Sequence, residues 1–519
     1  LMTQQSGTCT GVVKDMAGET VIGASVVVKG TTVGTITGID GDFSIPNVKK
    51  GDVIQISFVG YRTQEVVWNG TPLNIVLEDD SQALEEVVVV GYGSQRKVNV
   101  TGAVAMVDAK AIASRPVANA SQALQGVVPG LNLTVGNSGG SLDGRLSINI
   151  RGTGTIGDGS SSGPLILIDG IEGDLNTVNP NDIESVSVLK DAASASIYGA
   201  RASFGVILVT TKSGKSGKTN VSYSGNVRFS NAIGLPDVMD SYKFAQYFNR
   251  ANSNRGGGAI FSDAVMERIK QYQEGTLKAT TVDNGSGIWQ KWSNANGNTD
   301  WMDEFFGGWA PSHEHNVSIN GGSEKTQFMM SGSFLDQDGL INHGSDNFQR
   351  YTLNAKISTA VTDWFKVTLN TKWTREDFNR PTYLTGQFFH NLARKWPVHP
   401  AYDPNGFPMD EGEVEQMENG GKQNSQKDFF TNQLNMIFEP IKNWKINLEG
   451  SVRTTTQYQH WEVLPVQAYD VEGNPYYTVW DMGYGGYSAG SSRVNEYSWK
   501  ENYYTTNIYS DYFKQFDNG

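Results

Sequence analysis

Two short motifs and one cysteine are the residues whose types and spacing could do chemistry. In His313-Glu314-His315 the imidazoles are two residues apart, which places both on one face of a strand, as metal ligands could be. Gly152-Thr153-Gly154-Thr155-Ile156-Gly157 has the glycine spacing of a dinucleotide-binding loop. Cys9 is the only cysteine, so a disulfide within the chain is excluded.

Each of these features has a plainer explanation, which we favour. The histidine pair lacks the further ligands of a zinc site and suits a strand at the rim of a barrel. The glycine motif is followed by a polar loop, and not by a helix whose N-terminus could face a phosphate. Cys9 suits a small residue near the edge of the first strand. No Ser–His–Asp or Cys–His grouping stands out among the six scattered histidines, so the sequence predicts no enzyme, no metal and no cofactor.

A run of four valines, Val87–Val90, is better suited to binding another chain. Their β-branched side chains strongly favour extended backbone. Glu85 and Glu86 precede the run and Gly91 follows it, which would keep the segment soluble and unpaired. A partner strand could then add to it through main-chain hydrogen bonds. The alternative is an ordinary buried strand.

Composition narrows the classes of partner and the location. The net charge of −13, without clustered Lys and Arg, argues against nucleic acid. No run of about 18 apolar residues is present, so no transmembrane helix is expected. A membrane location would therefore require a β-barrel, whose strands alternate and never look strongly hydrophobic. At 519 residues, the chain should hold several domains.

The elements of the first 216 residues predict three parts. Residues 1–78 have short Val- and Ile-rich runs between turn formers and predict a small immunoglobulin-like β-sandwich. Residues 79–97 predict a linker that carries the valine run. Residues 98–216 predict a mixed α/β domain. Its helices are expected at 121–126 and at 191–198, the second capped by Asp191 and ended by Gly199, and its strands include 164–169 and 185–190.

From residue 217 to residue 519 the pattern changes to long strands with strict alternation. In 351–361, Leu353 and Ile357 share an apolar face, whereas Thr352, Asn354 and Lys356 share the other. Residues 365–373 and 444–454 alternate in the same way. One apolar face and one face with Lys, Arg and Glu is what a barrel wall between lipid and water requires. We predict about eight such strands.

Turn lengths also favour a barrel. Tight turns near 320–323, 362–363 and 442–443 alternate with long irregular stretches near 379–427 and 460–492, and aromatic residues lie near the strand ends. The alternative is a large soluble β-sandwich, whose strands would usually be shorter. Residues 516–519 form a hairpin-turn sequence with no strand after it, so we expect a longer chain or a second chain to complete the wall.

Several stretches of the first 212 residues together resemble one known family. Residues 11–13, 22–31 and 41–45 resemble a carboxypeptidase-D regulatory-like domain, which carries no peptidase chemistry. Residues 84–93 resemble the segment around a TonB box, and 164–170 and the unbroken stretch 179–212 resemble the end of a plug domain. In this order, the stretches resemble the SusC/RagA-type TonB-dependent receptors of the outer membrane.

The resemblance implies a mainly β fold. The immunoglobulin-like sandwich and the α/β plug would be followed by part of a large antiparallel transmembrane β-barrel, with 22 strands in the family and roughly eight here. It also implies import across the outer membrane of a Gram-negative bacterium without ATP. TonB, with ExbB and ExbD, would pull on the plug, and a SusD-like surface lipoprotein would act as a lid. The TonB-binding residues would be Glu85, Glu86, Val87, Val88, Val89, Val90 and Gly91.

Two further sets of residues follow from this interpretation. Charged plug residues could pair with one another and with the wall and loosen under tension, or be structural ion pairs only: Arg151, Glu184, Lys190, Asp191 and Arg201. Aromatic residues in the long loops could contact substrate: Phe388, Phe389, Trp396, Trp461, Tyr476, Tyr477 and Trp480. Flat rings suit sugar faces, but they also suit peptides and an interface with a lid protein, and the sequence does not decide between these. Our first hypothesis is that the cargo is an oligosaccharide. Oligopeptide import, or a surface signalling or adhesion role anchored by the barrel, are the alternatives.

Overall fold

A computed structural model of the chain describes its fold. The residues described are 6–16, 18–31, 33–58, 61, 63–77, 87–90, 93–96, 104–113, 115, 117–135, 141–152, 163–191, 195–478 and 490–514. The chain divides into two compact units, Leu1–Thr101 and Gly102–Gly519, which are described separately below.

The first unit contains two β-sheets around one apolar core. Its strands are β1 Ser6–Asp15, β2 Ser25–Val28, β3 Gly34–Ile36, β4 Asp42–Lys49, β5 Val53–Ser57, β6 Gln64–Val67 and β7 Leu73–Leu77. One sheet has the order β4-β1-β7 and the other β3-β2-β5-β6. Cys9 is fully buried in this core beside Ile45 and Ile56. Burial raises the pKa of its thiol, which agrees with a packing role for this residue.

The valine run forms a strand, β8 Val87–Val90, that pairs with β9 Gly93–Arg96 in an antiparallel hairpin. We expected this strand to be unpaired. The backbone N–H and C=O groups of a strand point alternately to its two edges. In the hairpin only one edge of β8 bonds β9, so the strand still has a second edge. Glu85, Glu86 and Gly91 lie outside the described residues.

The second unit begins with an α/β segment, residues 104–211. Its elements are β10 Val104–Asp108, α1 Ala109–Ala113, α2 Ala120–Leu124, β11 Leu131–Val135, β12 Leu146–Ile150, β13 Leu165–Ile168, β14 Ile171–Glu172, β15 Ile183–Leu189 and β16 Val206–Thr211. Five strands form a sheet in the order β10-β15-β16-β13-β14, and β11 pairs with β12. The buried core includes Leu124, Ile183, Val186 and Ile207.

The two helices predicted for this segment agree with the structure to different degrees. The side chain of Asn119 caps α2 by accepting from the backbone N–H of Gln122, close to the predicted start. The helix expected at 191–198 is instead a 3-10 segment, Ser196–Ala202. Gly199, at φ 67° and ψ −155°, interrupts it, which a residue with a side chain would resist. Residues 192–194 are outside the described part of the chain.

The rest of the second unit is built on one eight-stranded antiparallel sheet, here called the wall sheet, in which strands adjacent in the sheet follow one another along the chain. Its strands are β17 Gly217–Ser230, β18 Ala310–Gly322, β19 Thr326–Asp338, β20 Asn347–Thr362, β21 Phe365–Pro381, β22 Lys422–Ile441, β23 Trp444–Val463 and β26 Arg493–Tyr512. Eight strands confirm the predicted number. The strands extend into both predicted long stretches, because their hydrogen-bond ladders continue past residues 379 and 460.

The faces of the wall sheet are reversed relative to a water-soluble protein. Leu353 is 57% exposed, whereas its neighbours Thr352 and Asn354 are each 6% exposed. The exposed face includes Val221, Val227, Leu353, Ile357, Leu369, Leu434, Val452 and Ile508. The buried face includes Asn316, Ser331, Asn354, Asn370, Gln433, Asn447 and Thr455. An apolar face turned outward and a polar face turned inward are typical of a membrane barrel wall.

The longest connection in the wall sheet, residues 231–309, was not predicted as a loop. It contains α3 Ser241–Asn254, α4 Asp263–Gln273 and α5 Trp301–Phe306. The connection 382–421 contains α6 Gly386–Ala393 and α7 Val414–Asn419, and the next contains the hairpin β24 Gln467–Tyr469 and β25 Pro475–Tyr477. None of the described helices has the length and apolar character needed to cross a membrane.

Candidate functional site

The turn between β13 and β14 places a carboxylate against the wall sheet. Ile168 pairs with Ile171, so Asp169 and Gly170 alone make the turn. Both have positive φ, 51° and 85°, a two-residue geometry that Asp-Gly sequences favour. Local sequence therefore fixes where the Asp169 side chain begins, and the sheet order places β13 beside β16.

Asp169 joins the α/β segment to three residues of β20 and β21. Within its own segment it accepts from the Thr211 N–H at 2.9 Å and from the Thr211 hydroxyl at 2.7 Å. From the wall sheet it forms an ion pair with Lys372, lies 3.6 Å from Lys356 Nζ, and accepts from Asn370 Nδ2 at 3.0 Å. Burial would raise the pKa of Asp169, but the two lysines and these hydrogen bonds lower it below its ordinary range, so the carboxylate is ionised.

A second contact involves Asp182, which precedes β15. Its carboxylate accepts from the Ser331 hydroxyl of β19 at 2.8 Å, and Asn179 donates to Asn316 of β18 at 3.2 Å. Burial raises the pKa of Asp182 despite the Ser331 hydrogen bond and nearby Lys212. Two buried carboxylates of the α/β segment thus have opposite pKa shifts, because only Asp169 has an ammonium group in direct contact.

Arginines complete the interface. Arg145 of the α/β segment pairs with Asp174 of its own segment and with Glu376 of β21, the latter at 3.0 Å. In the opposite direction, Arg350 of β20 donates to the Asn176 carbonyl at 2.8 Å and to the Ala118 carbonyl. These contacts are polar on both sides, so hydrogen bonds and ion pairs help to hold the segment against the wall, beside a small apolar contact of Ala118 and Leu142 with wall residues.

A cavity of about 420 Å³ lies between the same two surfaces. Asp182, Asn354, Lys372, Arg453 and Glu501 are among its lining residues. Water can enter a polar space of this size. The interface is therefore only partly packed, unlike the apolar core of the α/β segment.

The charged plug residues predicted from sequence are not the ones that make the wall contacts described above. Arg151 and Glu184 are exposed. Lys190 donates to the Pro129 carbonyl at 2.5 Å, and the Asp191 carbonyl accepts from the Ala195 N–H at 3.1 Å. Arg201 pairs with Glu172 at 3.0 Å and donates to Tyr503 of β26 at 3.2 Å. Arg201 thus contacts the wall through the hydroxyl of a tyrosine, and its charged partner lies in the α/β segment.

Sequence reasoning missed Asp169 as the residue that joins the two parts. The Asp-Gly dipeptide after four apolar residues was a visible turn signal. Lys356 and Lys372 were visible as residues of the non-lipid face. Nothing in the sequence linked them, because they lie about 200 residues apart in the chain from Asp169.

The predicted substrate-contacting aromatics divide by burial. Phe388 is fully buried among Phe305 and Tyr383. Trp396 packs against Phe244, Phe248 and Phe261, and Trp461 is half-buried with Arg493 over its ring. Phe388 therefore packs the loops, whereas Trp396 and Trp461 are each only half-buried. Phe389 and Tyr477 are exposed, and Tyr476 pairs with Ala468 in the β24–β25 hairpin. Trp480 lies outside the described residues.

The paired histidines are in β18 and have separate partners. His315 bonds the Tyr223 hydroxyl at 2.8 Å, and His313 lies 3.7 Å from Asp336. Within the described part of the chain, no group of three or more His, Cys, Asp or Glu residues could hold a metal ion. Of the glycine motif, Gly154 and Gly157 are not among the described residues.

Two family models match the N-terminal part of the chain, between residues 9 and 206. Residues 9–89 match the model of the CarboxypepD_reg-like domain, and residues 96–206 match that of the TonB-dependent Receptor Plug Domain. The TonB-dependent receptor SusC of Bacteroides thetaiotaomicron is 36% identical over 381 residues, which cover 71% of this chain and 34% of the relative. The chain belongs to the SusC/RagA-type TonB-dependent receptors.

A second relative, TonB-dependent receptor P39 of Formosa agariphila, is 33% identical over 75% of this chain and 34% of its own length. This chain thus spans about a third of the length of the curated relatives that it matches. As a TonB-dependent receptor it is placed in the outer membrane of a Gram-negative bacterium and is not an enzyme.

The fold is similar to that of solved receptors of this type. The RagAB peptide importer in its "closed-closed" state matches with a TM-score of 0.63, over 80% of this chain and 46% of the other, at 23% identity. The RagAB peptide transporter matches with a TM-score of 0.61 and 24% identity, over 81% of this chain and 46% of the other. The α/β segment corresponds to the plug by its family match, and the wall sheet is consistent with part of a barrel.

Proposed function

We propose that the receptor to which this chain belongs imports oligosaccharides across the outer membrane. TonB, with ExbB and ExbD, supplies the pull, and a SusD-like surface lipoprotein acts as the lid. In this proposal residues 1–78 form the regulatory-like sandwich, 79–97 the linker with the TonB box, 98–216 the plug, and 217–519 the first part of the barrel.

The observation that carries the proposal is the polar contact between Asp169 and the wall residues Lys356, Lys372 and Asn370. A stopper must close the barrel at rest and still move when pulled. Hydrogen bonds and ion pairs across the interface can be exchanged for bonds to water, at a net cost of roughly 0.5–1.5 kcal/mol for each neutral hydrogen bond. The apolar core of the plug, including Ile183 and Val186, lies within the α/β segment and need not be exposed.

The pull requires a segment that TonB can grip. Val87–Val90 can pair with a TonB strand through main-chain hydrogen bonds, either at its second edge or in place of β9. Glu85, Glu86 and Gly91 flank it in the sequence. The charged plug residues Arg151, Glu184, Lys190, Asp191 and Arg201 would rearrange as the plug moves.

Deleting residues 85–91 from the full-length receptor in its own host tests the mechanism. We expect uptake of a labelled substrate to stop while its binding at the cell surface continues. In a matched control, the order of residues 69–75 is scrambled. These residues lie in the loop and strand that follow Trp68, so the change alters the sandwich and leaves the TonB box intact. Unchanged uptake in the deletion strain would contradict TonB-driven import by this route.

Oligosaccharides are proposed because the long loops combine exposed aromatic rings, such as Phe389 and Tyr477, with hydrogen-bonding side chains. Aromatic faces and polar groups that converge in a concave site suit hydroxylated rings. Oligopeptides are the second candidate, favoured by the similarity in fold to the RagAB peptide importer. Uptake of labelled oligosaccharides and labelled oligopeptides by the same cells, with and without the receptor, separates the two.

A further inference from the structure

A second pocket lies among the loops of the wall sheet, away from the plug interface. Its volume is about 490 Å³, within the range of small-molecule sites. We call it the loop pocket and define it by Trp292, Tyr383, Asn391, Lys395, Glu413 and Gln416. Trp396 adds an apolar wall, while Arg394 and Glu411 line it as exposed residues, so the pocket opens to solvent.

The backbone of the loop pocket is held in unusual conformations. Trp292, Glu411 and Glu413 have φ values of 52°, 61° and 69°. They are three of the seven non-glycine residues with positive φ among those described. Such conformations are costly for residues with large side chains and concentrate at binding and catalytic sites. His399 stacks on the Trp292 ring at 4.7 Å, which holds the indole in place.

The polar floor of the loop pocket is a network of buried partners. Lys395 forms an ion pair with Glu413 at 2.8 Å. The Tyr383 hydroxyl donates to Glu413 and accepts from Asn391 Nδ2, the latter at 2.9 Å. Burial lowers the pKa of Lys395, while Glu413 opposes that shift. These groups already satisfy one another, so they form a rigid surface for a ligand.

The formal charges around the loop pocket cancel. Three cations, Lys291, Arg394 and Lys395, stand against three anions, Asp410, Glu411 and Glu413. Lys291 pairs with Asp410 at 2.5 Å and with Glu411 at 2.8 Å. A charged ligand would have to compete with these pairs, so the balance favours a neutral one.

One buried acceptor in the pocket lacks a partner within the described part of the chain. Gln416 is 8% exposed, and its Oε1 atom accepts no hydrogen bond there. A buried amide oxygen left unpaired costs free energy, and such groups in native structures call for an explanation. Because this oxygen is itself almost inaccessible to solvent, the Gln416 side chain must turn towards the pocket before a ligand there can donate to it and satisfy it.

We infer that the loop pocket binds a neutral sugar unit of the transported glycan, with a hydroxyl group donating to Gln416 Oε1. This inference rests on the proposed glycan import and names a binding site for it outside the plug interface. Sugar hydroxyls both donate and accept, which matches the mixed donors and acceptors of the floor, and the indole of Trp396 covers an apolar ring face. A peptide more often carries charged groups, and the balanced charges of the pocket favour a neutral ligand.

Gln416→Met tests the site, because methionine has a similar length and no acceptor oxygen. The protein is the full-length receptor in detergent, and the probes are a panel of labelled neutral and sulfated oligosaccharides and labelled oligopeptides. We expect neutral oligosaccharides to bind the variant about 10-fold more weakly, the effect of losing one ligand hydrogen bond. Thermal stability should not fall, because Oε1 has no partner to lose among the residues that the structure describes. Gln246→Met, at an exposed position of α3, is the matched control and should bind as wild type.

The other outcomes are distinct. If wild type and Gln416→Met bind neutral oligosaccharides equally, the loop pocket inference is wrong and glycan import stands. If the variant loses affinity only for oligopeptides or sulfated chains, the assigned ligand class is wrong. If wild type binds oligopeptides but no oligosaccharide, the proposed cargo is wrong and the inference falls with it.

Discussion

Asp169, in the turn between β13 and β14, and Lys372, in the middle of β21, form an ion pair across the interface between plug and wall. Lys356 of β20 lies 3.6 Å from the same carboxylate. All three side chains are largely buried, with 8%, 20% and 15% exposure for Asp169, Lys372 and Lys356. One plug carboxylate therefore lies against two wall ammonium groups and offsets one of their two positive charges.

Asp169→Asn should loosen the plug. The amide keeps the size of the side chain but leaves two neighbouring lysines without a counter-charge, and breaking a buried pair in this way costs about 3–5 kcal/mol. We expect faster hydrogen exchange in residues 163–172 of the full-length receptor. The double variant Asp169→Asn/Lys372→Met should recover part of the protection. Equal exchange in wild type and Asp169→Asn would mean that this pair does not hold the plug.

Leu353→Arg tests whether the apolar face of the wall sheet meets lipid. Leu353 is near the middle of β20 and 57% exposed. An arginine at the bilayer midplane of a barrel costs about 2–4 kcal/mol, whereas at a water-exposed site it would cost almost nothing. Denaturant unfolding of the receptor in phospholipid vesicles measures the difference. Leu235→Arg, at an exposed position of the 231–309 loop, is the control and should be neutral. Equal stability of both variants would place Leu353 in water.

Asp346 should make stability depend on pH. It lies in the loop between β19 and β20, where burial, with Asp143 and Asp338 nearby, raises its pKa to about 6 despite Arg380. A carboxyl group with a raised pKa binds its proton more tightly in the folded state, so its contribution disfavours folding above pH ~6, and that penalty disappears as pH falls towards ~4. Relative to Asp346→Asn, the wild-type melting temperature should therefore rise between pH 7 and pH 4. A constant difference between the two proteins across this range would contradict the raised pKa.

His343 connects two helices that lie in different loops. Its ring nitrogens lie 2.9 Å from Glu304 of α5 and 2.7 Å from Glu418 of α7. His343→Leu would leave both carboxylates without this partner, at a local cost of about 1–3 kcal/mol. Limited proteolysis should then cut within 301–306 or 414–419 sooner than in wild type. His390→Leu, an exposed histidine of α6, is the control, and similar cleavage of both variants would show that His343 does not connect the loops.

The wall sheet was largely predictable because its information is local. Strict alternation assigns each residue of β20 to one face, and burial of Thr352 and Asn354 opposite exposed Leu353 agrees with that assignment. The loop helices α3 and α4 were not predicted, since attention to strand periodicity passed over residues 231–309. Phe388 was predicted at a binding surface, yet it is fully buried among the loops, because burial of an aromatic ring depends on neighbours distant in sequence.

By itself the sequence determined the class of the molecule: the order of sandwich, α/β segment and long strands, the eight-stranded count, and the direction each strand turns its apolar side. These follow from turn residues and periods of two, which act over a few residues. Only the tertiary structure decided which charges meet, bringing Asp169 to Lys372 and Lys395 to Glu413. Ion pairing depends on distance in space, and folding alone brings together groups that the chain keeps apart.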